Sequence, residues 1–165
     1  MTRISLFQKE LEAEAITTRK MLAVIPNDKY DWKPHPKSMS IRQLATHIAE
    51  LPTWIGMVFT TTELDFIKME YKPVEVNDTS TLLELFETSL EDARKHLAIG
   101  QEDSLGELWT LRSGEKIHSV EPKADVIRMS LSQIIHHRAQ LGVFLRLLDV
   151  PIPGSYGPSA DDTDF

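Results

Sequence analysis

Four stretches of the chain repeat apolar side chains at the spacing of an α-helix, and this pattern constrains the fold more than any other feature of the sequence. The length of 165 residues is that of a single domain. A long connection over about 60–77 separates the second stretch from the third, so those two helices are expected to run parallel. We therefore predict an all-α fold, a four-helix bundle with a long crossover, with helices over about 5–24, 41–59, 82–97 and 122–148.

Two short motifs predict where helices begin. Ser40 followed by Gln43, and Thr81 followed by Glu84, have the spacing of a capping box. In such a box each side chain accepts a hydrogen bond from the backbone N–H of the other residue. We expect the second and third helices to begin at these motifs.

Proline and glycine indicate where the regular pattern is interrupted. Pro52 lies inside the second predicted helix and removes the donor for the carbonyl of Ile48, so a kink is expected there. Gly114 lies between two short runs with strand character, which predicts a small hairpin just before the fourth helix.

The chain divides into one domain and a short acidic end. We expect the domain to cover residues 1–159 and residues 160–165 to form a frayed tail. In such a tail the neighbouring carboxylates of Asp161 and Asp162 could not be held in place for acid–base chemistry.

Composition excludes several functional classes. Twenty-five acidic against 18 basic residues give a net charge of −7, which does not suit a nucleic-acid partner. The absence of cysteine rules out thiolate zinc sites, Fe–S clusters and a cysteine nucleophile. No apolar run reaches the roughly 18 residues of a membrane span, and charged residues interrupt the N-terminal segment 1–15 where a signal peptide would need an apolar core. We expect a cytoplasmic protein with no membrane partner.

Two of the six histidines are predicted to meet inside the bundle. On the fourth helix, His137 lies about 50° from the centre of the apolar stripe, whereas His136 lies about 150° away and should face water. His47 lies at the edge of the stripe on the second helix, so His47 and His137 could face each other across one groove. A pair of neutral imidazoles is suited to Zn, Ni, Cu or Fe. The alternative is a pair of hydrogen-bonded core histidines.

Arg138 also falls on the inward side of the fourth helix. A buried guanidinium needs a carboxylate or carbonyl partner. We therefore expect a structural ion pair, with Glu50 as one candidate acid.

Three segments of the chain closely resemble the DinB/YfiT-like family, which is distinct from the DNA polymerase that shares the DinB name. They are 32–40, 44–50 and 136–159, the last of which begins His-His-Arg-Ala-Gln-Leu-Gly. The resemblance implies a four-helix bundle in which three histidines hold a divalent metal, nickel or zinc. Mapped onto this chain, the ligands are His47 and His137, and the third position is Gln133, where the family usually has histidine.

The resemblance implies two alternative functions. The first is a metal-dependent transferase or hydrolase acting on a small-molecule substrate, with a low-molecular-weight thiol as a candidate cofactor. In that reading His47 and His137 are the metal ligands and Gln133 is a weak third, because an amide oxygen is a harder ligand than imidazole. The second is a metal-free module for small-ligand binding or stress response, in which the metal site has degenerated at Gln133.

A homodimer is the expected assembly, as in relatives of this family. The proline-rich segment 150–159 could lie across a helix of the neighbouring subunit. Tyr156 would then be the anchor of that contact.

Overall fold

The computed structural model describes residues 1–70, 72 and 74–163, and it is mostly helical with a small three-stranded sheet. Within these residues no helix is long and apolar enough to cross a membrane. The helices are α1 (Arg3–Ala23), α2 (Ile41–Glu50), α3 (Thr53–Thr60), α4 (Thr79–Ile99) and α5 (Lys123–Leu147). The strands are β1 (Glu63–Asp65), β2 (Leu108–Ser113) and β3 (Lys116–Pro122).

The helices share one apolar core. α1 packs against α4 and α5, and α2 and α3 pack against the same two helices. Side chains that are at most 1% exposed come from each main layer, among them Leu11, Ile48, Leu90 and Leu131. Each such burial contributes roughly 1.5–3 kcal/mol, so packing of these apolar faces holds the helices together.

Capping side chains fix two helix starts, one as predicted and one not. At α2, Ser40 and Gln43 form the full capping box, which confirms that prediction. At α4 the prediction at Thr81 is wrong, because Asp78 is the cap and its carboxylate accepts the N–H of Thr81 at 2.8 Å. The helix therefore begins at Thr79, and Thr81 already lies inside its first turn.

The second predicted helix is divided in two at Pro52. α2 ends at Glu50 and α3 begins at Thr53, so the expected kink is a complete break. The fully buried hydroxyl of Ser130, from α5, donates to the carbonyl of Leu51 at 2.8 Å. A hydroxyl from the facing helix thus provides a bond at the point where the helical ladder is interrupted.

The crossover contains a strand that the all-α prediction lacks. β1 pairs in parallel with β2, and β2 pairs antiparallel with β3, so the strand order is β1-β2-β3. The predicted hairpin is confirmed, with Gly114 at a positive φ of 58° in its turn. A strand of three residues is too short to produce a period in the sequence, which is why β1 was not predicted. The crossover positions Tyr71 and Pro73 lie outside the described residues.

The chain after α5 turns back along that helix and is held there. Asp161 forms an ion pair with Arg146 and accepts the N–H of Ile152 at 3.0 Å. Asp162 accepts the N–H of Gly154 at 3.0 Å. The expectation that these two carboxylates cannot be held is therefore wrong, because nearby backbone donors and a cation fix them. The tail prediction for residues 164 and 165 lies outside the described residues.

Candidate functional site

His47 and His137 meet in the space between α2 and α5. Their ring centroids are 4.8 Å apart, and the ring planes are inclined at 72°. Both residues are half-buried. Because α2 and α5 pack directly against each other, the edge of one apolar face adjoins the edge of the other. The predicted convergence of these two side chains is present in the structure.

The surroundings of the two rings determine which nitrogen atoms can act on a ligand. Nδ1 of His137 lies 2.9 Å from Oε1 of Gln140. A carbonyl oxygen only accepts hydrogen bonds, so Nδ1 carries the proton and Nε2 keeps its lone pair. Burial, and then the neighbouring His137 ring, lower the pKa of His47. Both effects favour the uncharged imidazole.

The two rings line an open pocket of about 480 Å³. Gln133 lies on its wall, one helical turn before His137. The other side chains of the wall are mostly apolar or aromatic: Leu51, Trp54, Phe66, Met129 and His136. Among the described residues that line it there is no Asp, Glu, Lys or Arg, so the polar atoms of the wall belong to imidazole rings and one amide.

Sequence reasoning did not place His136 or Phe66 in this pocket. His136 is exposed, as predicted, but its ring lies 4.9 Å from that of His137 and lines the pocket mouth. The helical angle gives only the direction in which a side chain leaves the helix. A long side chain such as that of His136 can bend back towards its neighbour. Phe66 follows β1, and its N–H donates to the carbonyl of Arg112 at 3.0 Å. No pattern marks that segment, so no signal in the sequence could have placed Phe66 here.

Arg138 forms the expected ion pair, but its partner is Glu14 rather than Glu50. Nη1 of Arg138 lies 2.6 Å from Oε2 of Glu14 and 2.9 Å from Oγ1 of Thr18, and all three residues are buried. The hydroxyl of Tyr156 donates to Oε1 of Glu14 at 2.5 Å. Burial and Glu14 raise the pKa of Tyr156. This cluster ties α1, α5 and the C-terminal segment together within one chain.

The donor set of the pocket fits a divalent metal in part. Two imidazoles on one tetrahedral ion, with metal–nitrogen bonds of about 2.0–2.1 Å, have ring centroids about 5 Å apart, close to the separation of His47 and His137. In the part of the chain that the structure describes, no group of three or more His, Cys, Asp or Glu side chains is placed to hold an ion. The third protein donor would therefore be the amide of Gln133, a weaker ligand than imidazole.

Three solved structures illustrate the similarity of this fold to known proteins. A DinB-like protein of Bacillus subtilis, YjoA, superposes with a TM-score of 0.70 at 19% identity and covers 89% of this chain and 96% of its own. A structure described as a DinB family member, from Exiguobacterium sibiricum, gives 0.69 at 18% identity, covering 92% and 95%. A DinB-like protein of Bacillus cereus gives 0.65 at 17% identity, covering 90% and 94%. At these identities the likeness concerns the fold alone.

Sequence comparison extends the likeness over the whole chain. The uncharacterized protein YrdA of Bacillus subtilis is 23% identical over an alignment of 160 residues, and the alignment covers 94% of this chain and 89% of YrdA. The model of the DinB family matches residues 1–164. The family resemblance inferred from the motifs is thereby confirmed, and the chain belongs to the DinB family.

Proposed function

We propose that the pocket between α2, α3 and α5 holds a divalent metal, nickel or zinc, and serves metal-assisted transfer or hydrolysis of a small molecule. His47 and His137 are the ligands, and Gln133 is a weak third. The observation that carries this proposal is the 4.8 Å separation of two imidazoles from different helices at the wall of an open pocket. The hydrogen bond from His137 to Gln140 supports it, because metal-bound histidines usually donate their second N–H to such an acceptor.

The surrounding side chains give the pocket its chemical character. A bound divalent ion would supply the positive charge that polarises a substrate oxygen or lowers the pKa of a thiol. Trp54, Phe66 and Leu51 exclude water from part of the wall and bind the apolar portion of a substrate. Since the chain has no cysteine, a thiol nucleophile would come from a low-molecular-weight cofactor.

Metal titration of protein purified without a histidine tag tests this proposal. We expect Zn²⁺ or Ni²⁺ to bind and to raise the melting temperature, and His47→Ala or His137→Ala to abolish both effects. His35→Ala is the matched control, because His35 is exposed in a loop and hydrogen-bonds only locally, to the N–H of Lys37. A native protein that contains no first-row metal and does not respond to added Zn²⁺ or Ni²⁺ would rule the proposal out.

A second candidate function is a metal-free pocket for small-ligand binding or stress response. It is favoured by the third ligand position, where an amide stands and where the described residues offer no third imidazole or carboxylate within a common site. It predicts that Gln133→His creates a metal affinity that the native protein lacks. Tight metal binding by the native protein would contradict it.

We also propose that the helices form a four-helix bundle, counting α2 and α3 as one interrupted helix. The support is that α1 and the α2–α3 pair both pack against α4 and α5.

We propose in addition a cytoplasmic homodimer. Val143 and Leu147 are exposed apolar side chains beside the C-terminal segment, and Tyr156 is 67% exposed despite its hydrogen bond to Glu14. Light scattering that gives a mass near 18.8 kDa at high concentration would argue against a dimer.

A further inference from the structure

A second pocket, of about 330 Å³, lies where α3 and α4 end and α5 begins. It is separate from the pocket lined by His47 and His137, here called the histidine pocket. Lys123 and His137 are 14 residues apart, or about 21 Å along α5. Its wall combines ionisable and apolar side chains: Phe59, His96, Ile99, Ser104, Glu107 and Lys123. The proposed function does not use any of them.

The ammonium group of Lys123 is the most unusual feature of this pocket. Its side chain is only 6% exposed, and Nζ lies 2.7 Å from Oε2 of Glu107. Burying a cation is costly, and here the cost is increased by the positive end of the α5 dipole. An ammonium group has three donors, and Glu107 takes one of them.

Glu107 reaches this cation from the surface. Its side chain is 61% exposed, in contrast to that of Lys123. The backbone N–H of Lys123 also donates to the carbonyl of Glu107 at 2.9 Å, so the start of α5 stays attached when the carboxylate moves. The backbone link between Glu107 and Lys123 therefore does not depend on the Glu107 carboxylate.

The opposite wall is built close to two glycines. Nδ1 of His96 lies 2.9 Å from the backbone carbonyl of Asp92 and 3.4 Å from its carboxylate, so Nδ1 carries a proton in this contact. A Cβ at Gly56 would overlap the Asp92 carboxylate and lie 2.7 Å from Nδ1 of His96. A Cβ at Gly100 would lie 2.8 Å from Cζ of Phe59. A residue larger than glycine at position 56 or 100 would therefore displace the side chains of this wall, His96 or Phe59.

We propose that this pocket is a second ligand site that binds a small organic acid. The carboxylate of the ligand replaces that of Glu107 at the Lys123 ammonium, and its apolar part lies against Phe59 and Ile99. Glu107 occupies the cation when no ligand is bound and so competes with the ligand. The site does not depend on the metal or on the histidine pocket.

Titration of the full-length protein with benzoate, followed by amide chemical shifts in NMR, tests this site. We expect shifts at residues around Lys123 and His96. Glu107→Gln removes the competing charge and should tighten benzoate binding about three- to tenfold. Lys123→Met should weaken it by about tenfold or more, the loss of one charge-assisted hydrogen bond. Lys116→Met, which removes an exposed lysine that does not line this pocket, is the matched control and should leave benzoate binding unchanged.

The opposite signs of the two variants separate this proposal from a purely structural ion pair. If the pair only anchors α5, Glu107→Gln will not tighten benzoate binding, and the proposal fails. It fails equally if benzoate causes no shifts in the native protein, or if inorganic phosphate binds and benzoate does not. Should Lys123→Met not fold, the sign of the Glu107→Gln effect still decides.

Discussion

His137 and Arg138 are neighbours in the chain, but their side chains leave α5 about 100° apart, and their two surroundings differ in how completely polar groups are paired. Arg138 is 3% exposed and donates to Glu14, Thr18 and Ser155. His137 is half-buried, has one side-chain hydrogen bond, and keeps a lone pair beside an open pocket. A polar side chain whose hydrogen-bonding atoms are all paired within the protein stabilises the fold, whereas one that retains an unpaired atom can bind a ligand.

The largest expected difference between the two residues is in stability. Arg138→Ala leaves the Glu14 carboxylate buried without its cation, which should lower the free energy of unfolding by about 3–5 kcal/mol. His137→Ala should change it by less than about 1 kcal/mol, because a half-buried ring with one bond contributes little. Urea unfolding of both variants measures the contrast. Equal losses would show that His137 is as structural as Arg138.

The next largest effect should be on metal binding by His137. Gln140→Leu removes the acceptor that fixes the tautomer of His137, and metal affinity should fall about ten- to hundredfold. The melting temperature should stay unchanged, since Gln140 is exposed. Gln140→Glu keeps an acceptor oxygen and is the matched control.

A measurement without metal shows whether a change in the metal affinity of Gln140→Leu arises from a change in the His137 tautomer. Nitrogen NMR of the His137 ring reports its tautomer directly. If the Nδ1-protonated form persists in Gln140→Leu, then Gln140 does not set the tautomer.

A smaller effect is expected at the break between α2 and α3. Ser130→Ala removes a buried hydrogen bond to the carbonyl of Leu51, which also accepts the N–H of Trp54 at 3.1 Å. Because that carbonyl is not left unpaired, the loss should be about 1 kcal/mol of unfolding free energy. Ser132→Ala, on the exposed side of the same helix, should be neutral in the same denaturation experiment. A Ser130 variant as stable as the native protein would show that the bond is dispensable.

The smallest expected effect concerns acid stability at the sheet. Oδ1 of Asp65 accepts the N–H groups of Gly114 and Ile67, and chiefly the Gly114 bond lowers the pKa of Asp65, with Lys68 and Arg112 adding to it. A pKa lowered by folding means that ionised Asp65 stabilises the fold above about pH 4, and this stabilisation is lost as the pH falls through the folded-state pKa.

Asp65→Asn tests this pH dependence. The variant should be less stable than the native protein at neutral pH, and the two should converge as the pH falls below 4. Thermal unfolding across that pH range measures the difference. A difference that is independent of pH would mean that the charge of Asp65 contributes nothing.

The sequence predicted the parts of the fold that depend on a repeated pattern. Long amphipathic helices show their period over many residues, and an interruption at Pro52, predicted as a kink, follows from a missing N–H. β1 has only three residues, and its pairing with β2 depends on chain segments far apart in sequence. The α4 start was misplaced because two capping signals lay three residues apart and the earlier one formed.

The candidate site shows the same division. His47 and His137 were identified because each lies at the edge of a helical stripe and because the family motif marks them. The partner of Arg138 was missed because α1 supplies it, from 124 residues away in the sequence. Phe66 was missed for the same reason, since only tertiary contacts bring it to the pocket.

Pro52 influences how the wall of the histidine pocket is built. It does not line the pocket, yet it separates Leu51 and His47 from Trp54, so the two stretches of wall belong to two different helices. The relative placement of His47 and Trp54 in the pocket wall therefore depends on a residue that does not itself line the pocket.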